Sequence, residues 1–344
     1  MKEQILLPAE WEKQSAILIA WPQKDSDWSE VYDEVVAFYS ELVYAIWAIQ
    51  KVIILTKKKH ETQLQLFRTD YYPENVIFVE CPTNDTWTRD YGAITVIKNG
   101  LPVFVDFQYN AWGLKFAADK DNQVNTWLKN SGLLKKTVKY KNYLDFVLEG
   151  GSIESDGNKT VMTTTHCLMA PNRNAGWTKE QLEMQLLRLF GAEQILWLNY
   201  GSLQGDDTDG HIDTLARFCP DNVIAYVQCE DPEDEHYQEL SSMENELKSF
   251  RNIEGEPYKL VPLPMPDAIY KDGQRLPATY ANFLIMNERV LCPTYNQPAN
   301  DQKAIAILQS LFPTRKIKGI KSTVLITQGG SLHCSTMQFP EGVF

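Results

Sequence analysis

EGGSIE (residues 149–154) returns near the C-terminus as QGGSLH (328–333): a polar residue, two glycines, a serine, an aliphatic residue and a second polar residue in the same order. The two copies start 179 residues apart, close to three steps of about 60. Other chemically loaded positions keep the step. Asp90 to Glu149 is 59 residues, Glu149 to His211 is 62, and His211 to Cys334 is 123, or about two steps. A period of this length marks a repeated supersecondary unit, and about five such units fit a chain of 344 residues. Units set around an axis would bring loops that are distant in sequence to one centre.

The hydrophobic pattern between these points fills in the unit. AILIAWP (16–22) reads as a buried strand, the stretch 28–50 has helical periodicity, and KVIILT (51–56) is a strand again. AITVI and LPVFVDF read as a hairpin, DKDNQVNTWLKN as a helix and KTVKY as a strand. FVLEGGSIESDGNKTVMTT is strand-rich. It is followed by the helix TKEQLEMQLLRLFGA, capped by Gly191, and the strand EQILWL. LARF, VIAYV, the helix at 232–250 and YKLVPL repeat the order, as do NFLIM, RVLCPTY, the helix at 299–312 and RKIKGI. Each unit is two strands, a helix and a strand. No Pro/Gly/Ser linker separates the units, so residues 1–344 read as a single α/β domain.

Composition excludes several function classes. A formal charge of -12 and a pI near 5.0 argue against nucleic acid, which needs a basic footprint, and are compatible with a cationic ligand. No stretch approaches the roughly 18–20 apolar residues of a membrane helix. The apolar run at the N-terminus is too short for the core of a secretory signal. The six cysteines (81, 167, 219, 229, 292 and 334) form no CxxC pair, so neither a zinc site nor a disulfide framework is expected. The expectation is a reduced, cytoplasmic protein without metal or cofactor, compatible with a homo-oligomer.

Four loops carry the chemistry. NDTWTRDYG (84–92) holds Trp87 and Asp90; read alone it is a surface turn with a capping Asp. Glu149 ends an apolar strand, where a charge needs a partner, as a structural ion pair or as a catalytic group. GDDTDGHIDTLARF (205–218) surrounds His211 with Asp206, Asp207, Asp209 and Asp213. An EF-hand fails there, because Gly210 in sixth place would put Gly205 first and Ala216 twelfth. A lone His among carboxylates is a poor zinc site. HIDTLARF reads instead as the start of a strand, with His211 and Asp213 alternating onto one face.

The fourth loop places His333 beside Cys334. On an extended backbone the two point to opposite faces, so the base for Cys334 must be distant, and His211 is the candidate. Cys334 itself is either a nucleophile or one more buried thiol. Several carboxylates around a cysteine disfavour its thiolate and provide no oxyanion donors. They fit a cationic substrate instead. A guanidinium offers forked N–H donors to carboxylates such as Asp90 and Asp213, and its charge would help hold Cys334 as thiolate.

WTRDYG, EGGSIE, DGHID and GGSLHC stand in the order and at about the spacing of the agmatine deiminases, and the chain resembles that family over nearly its whole length. These enzymes group with the bacterial peptidyl-arginine deiminases in the guanidine-modifying pentein superfamily. The resemblance implies a five-bladed α/β propeller of pseudo-fivefold ββαβ repeats, and no cofactor or metal. It implies Cys334 as the nucleophile on the guanidino carbon, Asp90 and Asp213 as the carboxylates on its nitrogens, and His211 as general acid and then base. It further implies that Glu149 orients His211, that Trp87 lines the channel and that Asp207 binds substrate. The implied product is a ureido compound, reached through an amidino-cysteine. QGGSLHC stands where the family commonly has GGGNIHC, and Ala93 where it often has proline; neither is a reacting group. Deimination of agmatine to N-carbamoylputrescine and ammonia, in polyamine metabolism, is the first reading. Deimination of arginine or peptidyl-arginine is the second, and a non-enzymatic binding module the third.

Overall fold

The strand Gln14–Ala20 buries six of its seven residues, as a strand covered on both faces does. It pairs in parallel with Lys51–Thr56, which pairs in parallel with Val76–Glu80. The crossover from the first to the second is the helix Tyr32–Trp47, which turns Val35, Phe38, Tyr39, Leu42, Val43 and Ile46 inward at the 3–4 spacing of one helical face. On its other edge Gln14–Ala20 pairs antiparallel with Met337–Pro340, so the two ends of the chain are stitched into one sheet. The computed structural model describes residues 3–344.

Four further sheets repeat this connectivity, an antiparallel pair followed by a parallel one. Their strands are Ile94–Lys98, Leu101–Gln108 and Lys139–Val147; then Ile153–Ser155, Thr160–Thr164 and Gln194–Leu198. Next come Ala216–Cys219, Val223–Gln228 and Lys259–Pro264, and finally Leu284–Ile285, Arg289–Thr294 and Lys316–Lys321. The helices Val124–Asn130, Lys179–Phe190, Tyr237–Ser249 and Pro298–Leu311 make the four crossovers. The first strands of the units begin at Ile94, Ile153, Ala216, Leu284 and Met337, in steps of about 60 residues. The result is a mixed α/β fold whose unit is the expected ββαβ. None of the helices described is long and apolar enough to cross a membrane.

Three local expectations change. The helix read across 28–50 is a 3-10 turn, Ser29–Val31, followed by the α-helix proper. The sheet at the chain ends gains the helix Lys59–Phe67 and the strand Val76–Glu80, neither anticipated from the pattern. The strand read from His211 begins only at Ala216. His211 instead precedes a 3-10 turn, Ile212–Thr214, closed by the Thr214 hydroxyl donating to the His211 carbonyl at 2.8 Å. Side-chain bonds of this local kind compete with strand pairing.

Candidate active site

Asp90 sits in the one-turn helix Thr88–Tyr91, directly after Trp87. The turn is fixed from the C-terminal loop: Arg89 N–H donates to the Cys334 carbonyl at 3.2 Å, and Thr88 Oγ1 lies 3.1 Å from the Ser335 carbonyl. The Asp90 carboxylate accepts from Trp112 Nε1 (2.9 Å) and from Gly151 N–H (3.0 Å). Trp112 reaches it from a segment where Ala111, Trp112, Gly113 and Leu114 all have positive φ, a costly run for three non-glycine residues.

Glu149 is fully buried just before the turn Gly150–Ser152. Its partner is Arg173, whose Nε lies 2.9 and 3.0 Å from the two carboxylate oxygens. The other side of Glu149 faces His211, with Nε2 at 4.0 Å; His211 Nδ1 lies 3.6 Å from Asp90. Neither ring nitrogen of His211 has a hydrogen-bond partner among the described residues. Burial works against the charged imidazole, but Asp90, Cys167 and Glu149 outweigh it and raise its pKa well above the usual histidine value.

The four acids of the Asp-rich loop divide their work. Asp206 builds the loop, accepting from Thr208 N–H and Oγ1 and from Gly210 N–H. Asp209 pairs with Arg173 Nη1 (2.6 Å) and Lys115 (2.9 Å). Asp207 lines the cavity described below. Asp213 is fully buried, with Oδ2 2.7 Å from His333 Nδ1 and Oδ1 unpartnered among the described residues.

Cys334 lies in a turn, not on an extended strand, and this corrects the opposite-faces expectation for its neighbour. Cys334 Sγ and His333 Nδ1 approach the same Asp213 oxygen, at 3.7 and 2.7 Å. Asn282 flanks the sulfur, with Nδ2 at 3.3 Å. Burial pushes the Cys334 thiol well above the usual range, and Asp213 and Asp90 add to the effect.

Cys334, Asp90, Trp87 and Asp207 line one cavity of about 230 Å³, with Asp27 and Asp85 among its other walls and no Lys or Arg among the lining residues. Glu149, His211 and Asp213 are fully buried. His211 and Asp213 meet Asp90 at Gly151, where a Cβ would stand 2.6 Å from His211 Nδ1, 2.8 Å from Asp90 and 3.2 Å from Asp213; Glu149 joins them through His211. The second glycine pair works alike: a Cβ on Gly330 would stand 2.5 Å from the Trp87 ring. Burial raises Asp90 to about 6, with Asp213 and Glu149 contributing; it raises Asp85 to about 6, with Asp27 and Asp207 contributing. The cavity therefore holds unneutralised acid that a cation would relieve.

The structure thus gathers all seven expected residues. Sequence reasoning missed Arg173, Trp112, Asn282, Asp27 and Asp85. Of these only Asn282, a polar residue entering the apolar run NFLIM, carries a local signal. Two buried groups have metal-ligand composition, Glu149–Cys167–His211 and Glu10–Glu154–His333. In each an arginine already neutralises carboxylate: Arg173 on Glu149, and Arg217 on Glu10 and Glu154.

A sequence profile of the Porphyromonas-type peptidyl-arginine deiminases matches residues 6–340. A crystal structure from Porphyromonas gingivalis, provisionally named an arginine deiminase, superposes with a TM-score of 0.94 at 44% identity, covering 99% of this chain and 100% of that one. A Cys-to-Ser variant of C. jejuni agmatine deiminase with substrate bound gives 0.91 at 39% identity, over 99% and 98% of the chains. A relative in Marinomonas sp. (strain MWYL1), provisionally named an agmatine deiminase, is 32% identical over 97% of this chain and 94% of its own length. The chain belongs to the Porphyromonas-type peptidyl-arginine deiminase family, a family of enzymes that hydrolyse C–N bonds.

Proposed function

We propose that this enzyme deiminates agmatine to N-carbamoylputrescine and ammonia. The observation that carries the reading is the cavity: a cysteine beside Asp90, and further carboxylates, Asp27, Asp85 and Asp207, without a basic residue on the walls. A guanidinium at one end and an ammonium at the other match that charge, while the carboxylate of free arginine opposes it.

In this reading Asp90 and the unpartnered Oδ1 of Asp213 hold the guanidinium nitrogens. The bound cation offsets the acids that keep Cys334 protonated. Cys334 gives its proton to solvent as the cation binds, and its Sγ bonds to the guanidino carbon while one C–N π bond moves onto nitrogen. His211, kept cationic by Asp90 and Glu149, gives a proton to the departing nitrogen, and ammonia leaves an amidino-cysteine. Neutral His211 then takes a proton from water, whose oxygen bonds to the same carbon. The C–S bond breaks, returning Cys334 and releasing the ureido product. Glu149, held by Arg173, orients His211. Trp87 lines the site and adds cation–π attraction of roughly 0.5–2 kcal/mol. The five repeated sheets support a single pentein domain over residues 1–344, its units the blades of a five-bladed propeller. Six free cysteines support a cytoplasmic enzyme with reduced thiols.

The arginine-deiminase name of the P. gingivalis neighbour keeps arginine or peptidyl-arginine as the second reading. Ureido product is measured from agmatine, arginine and an arginyl peptide. Turnover of agmatine far above the others is expected. Equal or greater efficiency on either of the others moves the assignment to it, and no product from any guanidine overturns deimination.

A further inference from the structure

His333 is buried, its ring nitrogens each meeting a carboxylate oxygen at 2.7 Å: Nδ1 on Asp213 Oδ2 and Nε2 on Glu10 Oε2. We propose that His333 is a positioning residue for Asp213, held in place by Glu10 and Arg217. This rests on the deiminase reading, in which Asp213 grips the guanidinium.

The chemistry of the contacts fixes the protons. Both acids are ionised. Against burial, His333 and Arg217 hold Glu10 well below the carboxylate range, and His333 lowers the pKa of Asp213. An unprotonated nitrogen facing the ionised Asp213 oxygen at 2.7 Å would be repelled, so Nδ1 carries hydrogen; Nε2 faces both Glu10 Oε2 at 2.7 Å and Arg217 Nη2 at 3.1 Å. Burial, Arg217 and Arg89 lower the His333 pKa against Glu10 and Asp213; the hydrogen on Nδ1 toward Asp213 does not depend on the net charge of the ring. Glu10, Glu154 and Asp213 face Arg89, Arg217 and His333, as buried polar groups require, and burial raises Glu154 to about 7. Asp90 and His211 are further titratable neighbours of Asp213.

Glu10 cannot drift. Its second oxygen accepts from Ile285 N–H at 2.7 Å, and Arg217 Nη2 donates to the first at 2.7 Å. Arg217 is itself held by Glu154 and by the carbonyls of Ala281 and Phe283. The anchor therefore draws on strands or loops of several sheets. Its output is the orientation of one carboxylate. With Oδ2 taken by His333, Asp213 keeps Oδ1 free and stays ionised at the site where a cation binds.

His333→Gln removes the Nδ1 donor, whereas His333→Asn keeps an amide nitrogen near that position. On agmatine, His333→Gln is expected to raise KM about tenfold or more, the scale of one lost charged hydrogen bond. The acidic limb of kcat/KM, which Asp90 sets in the wild type, should steepen or move to higher pH, because Asp213 loses the hydrogen-bond donor that lowers its pKa. His333→Asn should recover part of both effects. If His333→Gln does not fold, Glu10→Gln reads the same relay and should shift the limb upward by less. A purely structural role would lower the yield of folded enzyme and leave KM and the pH profile of the folded fraction unchanged; that result overturns the proposal. A wild-type protein inactive on every guanidine overturns the deiminase reading instead.

Discussion

Gly151 gives His211 its space: a Cβ on Gly151 would stand 2.6 Å from His211 Nδ1. Real Cβ contacts do not come so close, and the same atom would crowd Asp90 and Asp213. Gly151→Ala should therefore force apart three groups that must converge on one carbon. Activity should fall about 100-fold or more, the scale of a 1 Å misplacement. Thermal unfolding and ureido product formation, measured together, check this; a folded, active Ala variant would mean that the three groups do not act at one point.

Cys334→Ser should abolish turnover with little change in fold. A serine hydroxyl lacks the nucleophilicity of a thiolate and leaves the bonding around Asn282 nearly intact. Acid-quenched wild-type enzyme turning over agmatine should carry on Cys334 the mass of agmatine less ammonia, and the Ser variant should not. Appreciable turnover by Cys334→Ser would make the thiol structural.

Arg173→Met should destabilise the protein by about 3–5 kcal/mol, since it leaves Glu149 as an uncompensated buried carboxylate. The Arg173→Met/Glu149→Gln double variant should be more stable than Arg173→Met alone, although inactive. Chemical denaturation of the three proteins tests the order. An Arg173→Met variant as stable as wild type would show that the pair is not needed for the fold.

The free enzyme should lose kcat/KM as pH falls through about 6. Burial raises Asp90 to about 6, so below that pH it is protonated and no longer matches a guanidinium. The stability linkage has the opposite sense. Between the unfolded value near 3.8 and about 6 the folded state holds a proton that the unfolded chain has lost, so Asp90's contribution to stability falls as pH rises through that window. A pH–rate profile on agmatine, paired with unfolding at each pH, separates the two. An acidic limb near pH 4 would show Asp90 ionised with the ease of an exposed carboxylate.

The candidate site residues were legible because they sit in short motifs whose glycines and polar residues interrupt the apolar pattern. EGGSIE and QGGSLH mark loops where a backbone must pass close to a side chain, and the structure has Gly151 on His211 and Gly330 on Trp87. The partners of those side chains were not legible. Arg173 lies 24 residues from Glu149, and Glu10 lies 323 residues from His333; only the packing of separate sheets and loops brings them together. The helix Lys59–Phe67 escaped because the residues it buries are Thr62, Gln63 and Leu66, mostly polar. The strand read across His211 and Asp213 failed because Asp206, Thr208 and Thr214 bond the loop to itself. Their alternation was a property of the letters and not of the backbone.

Asp207 should decide between agmatine and arginine. It lines the cavity, and Gly329 packs against it, where a Cβ would stand 3.0 Å from Oδ1. Burial raises its pKa and Asp206 adds to the rise, so it is a carboxylate short of counter-charge. Lys115 does not supply the cavity with a cation, because its ammonium is bonded to the Asp207 carbonyl and to Asp209. The ammonium of agmatine would meet Asp207 with Asp85 and Asp27 nearby, whereas the carboxylate of arginine would be a fourth acid in the same space. Like charges brought together cost several kcal/mol, so wild type should prefer agmatine by about 100-fold or more in kcat/KM. Asp207→Asn should raise KM for agmatine about tenfold, leave kcat nearly unchanged and narrow the gap to arginine. Steady-state kinetics of both proteins on both substrates test this. An unchanged agmatine KM in Asp207→Asn would move the distal contact to Asp85 or Asp27, and equal wild-type efficiency on the two substrates would remove the distal cation from the account.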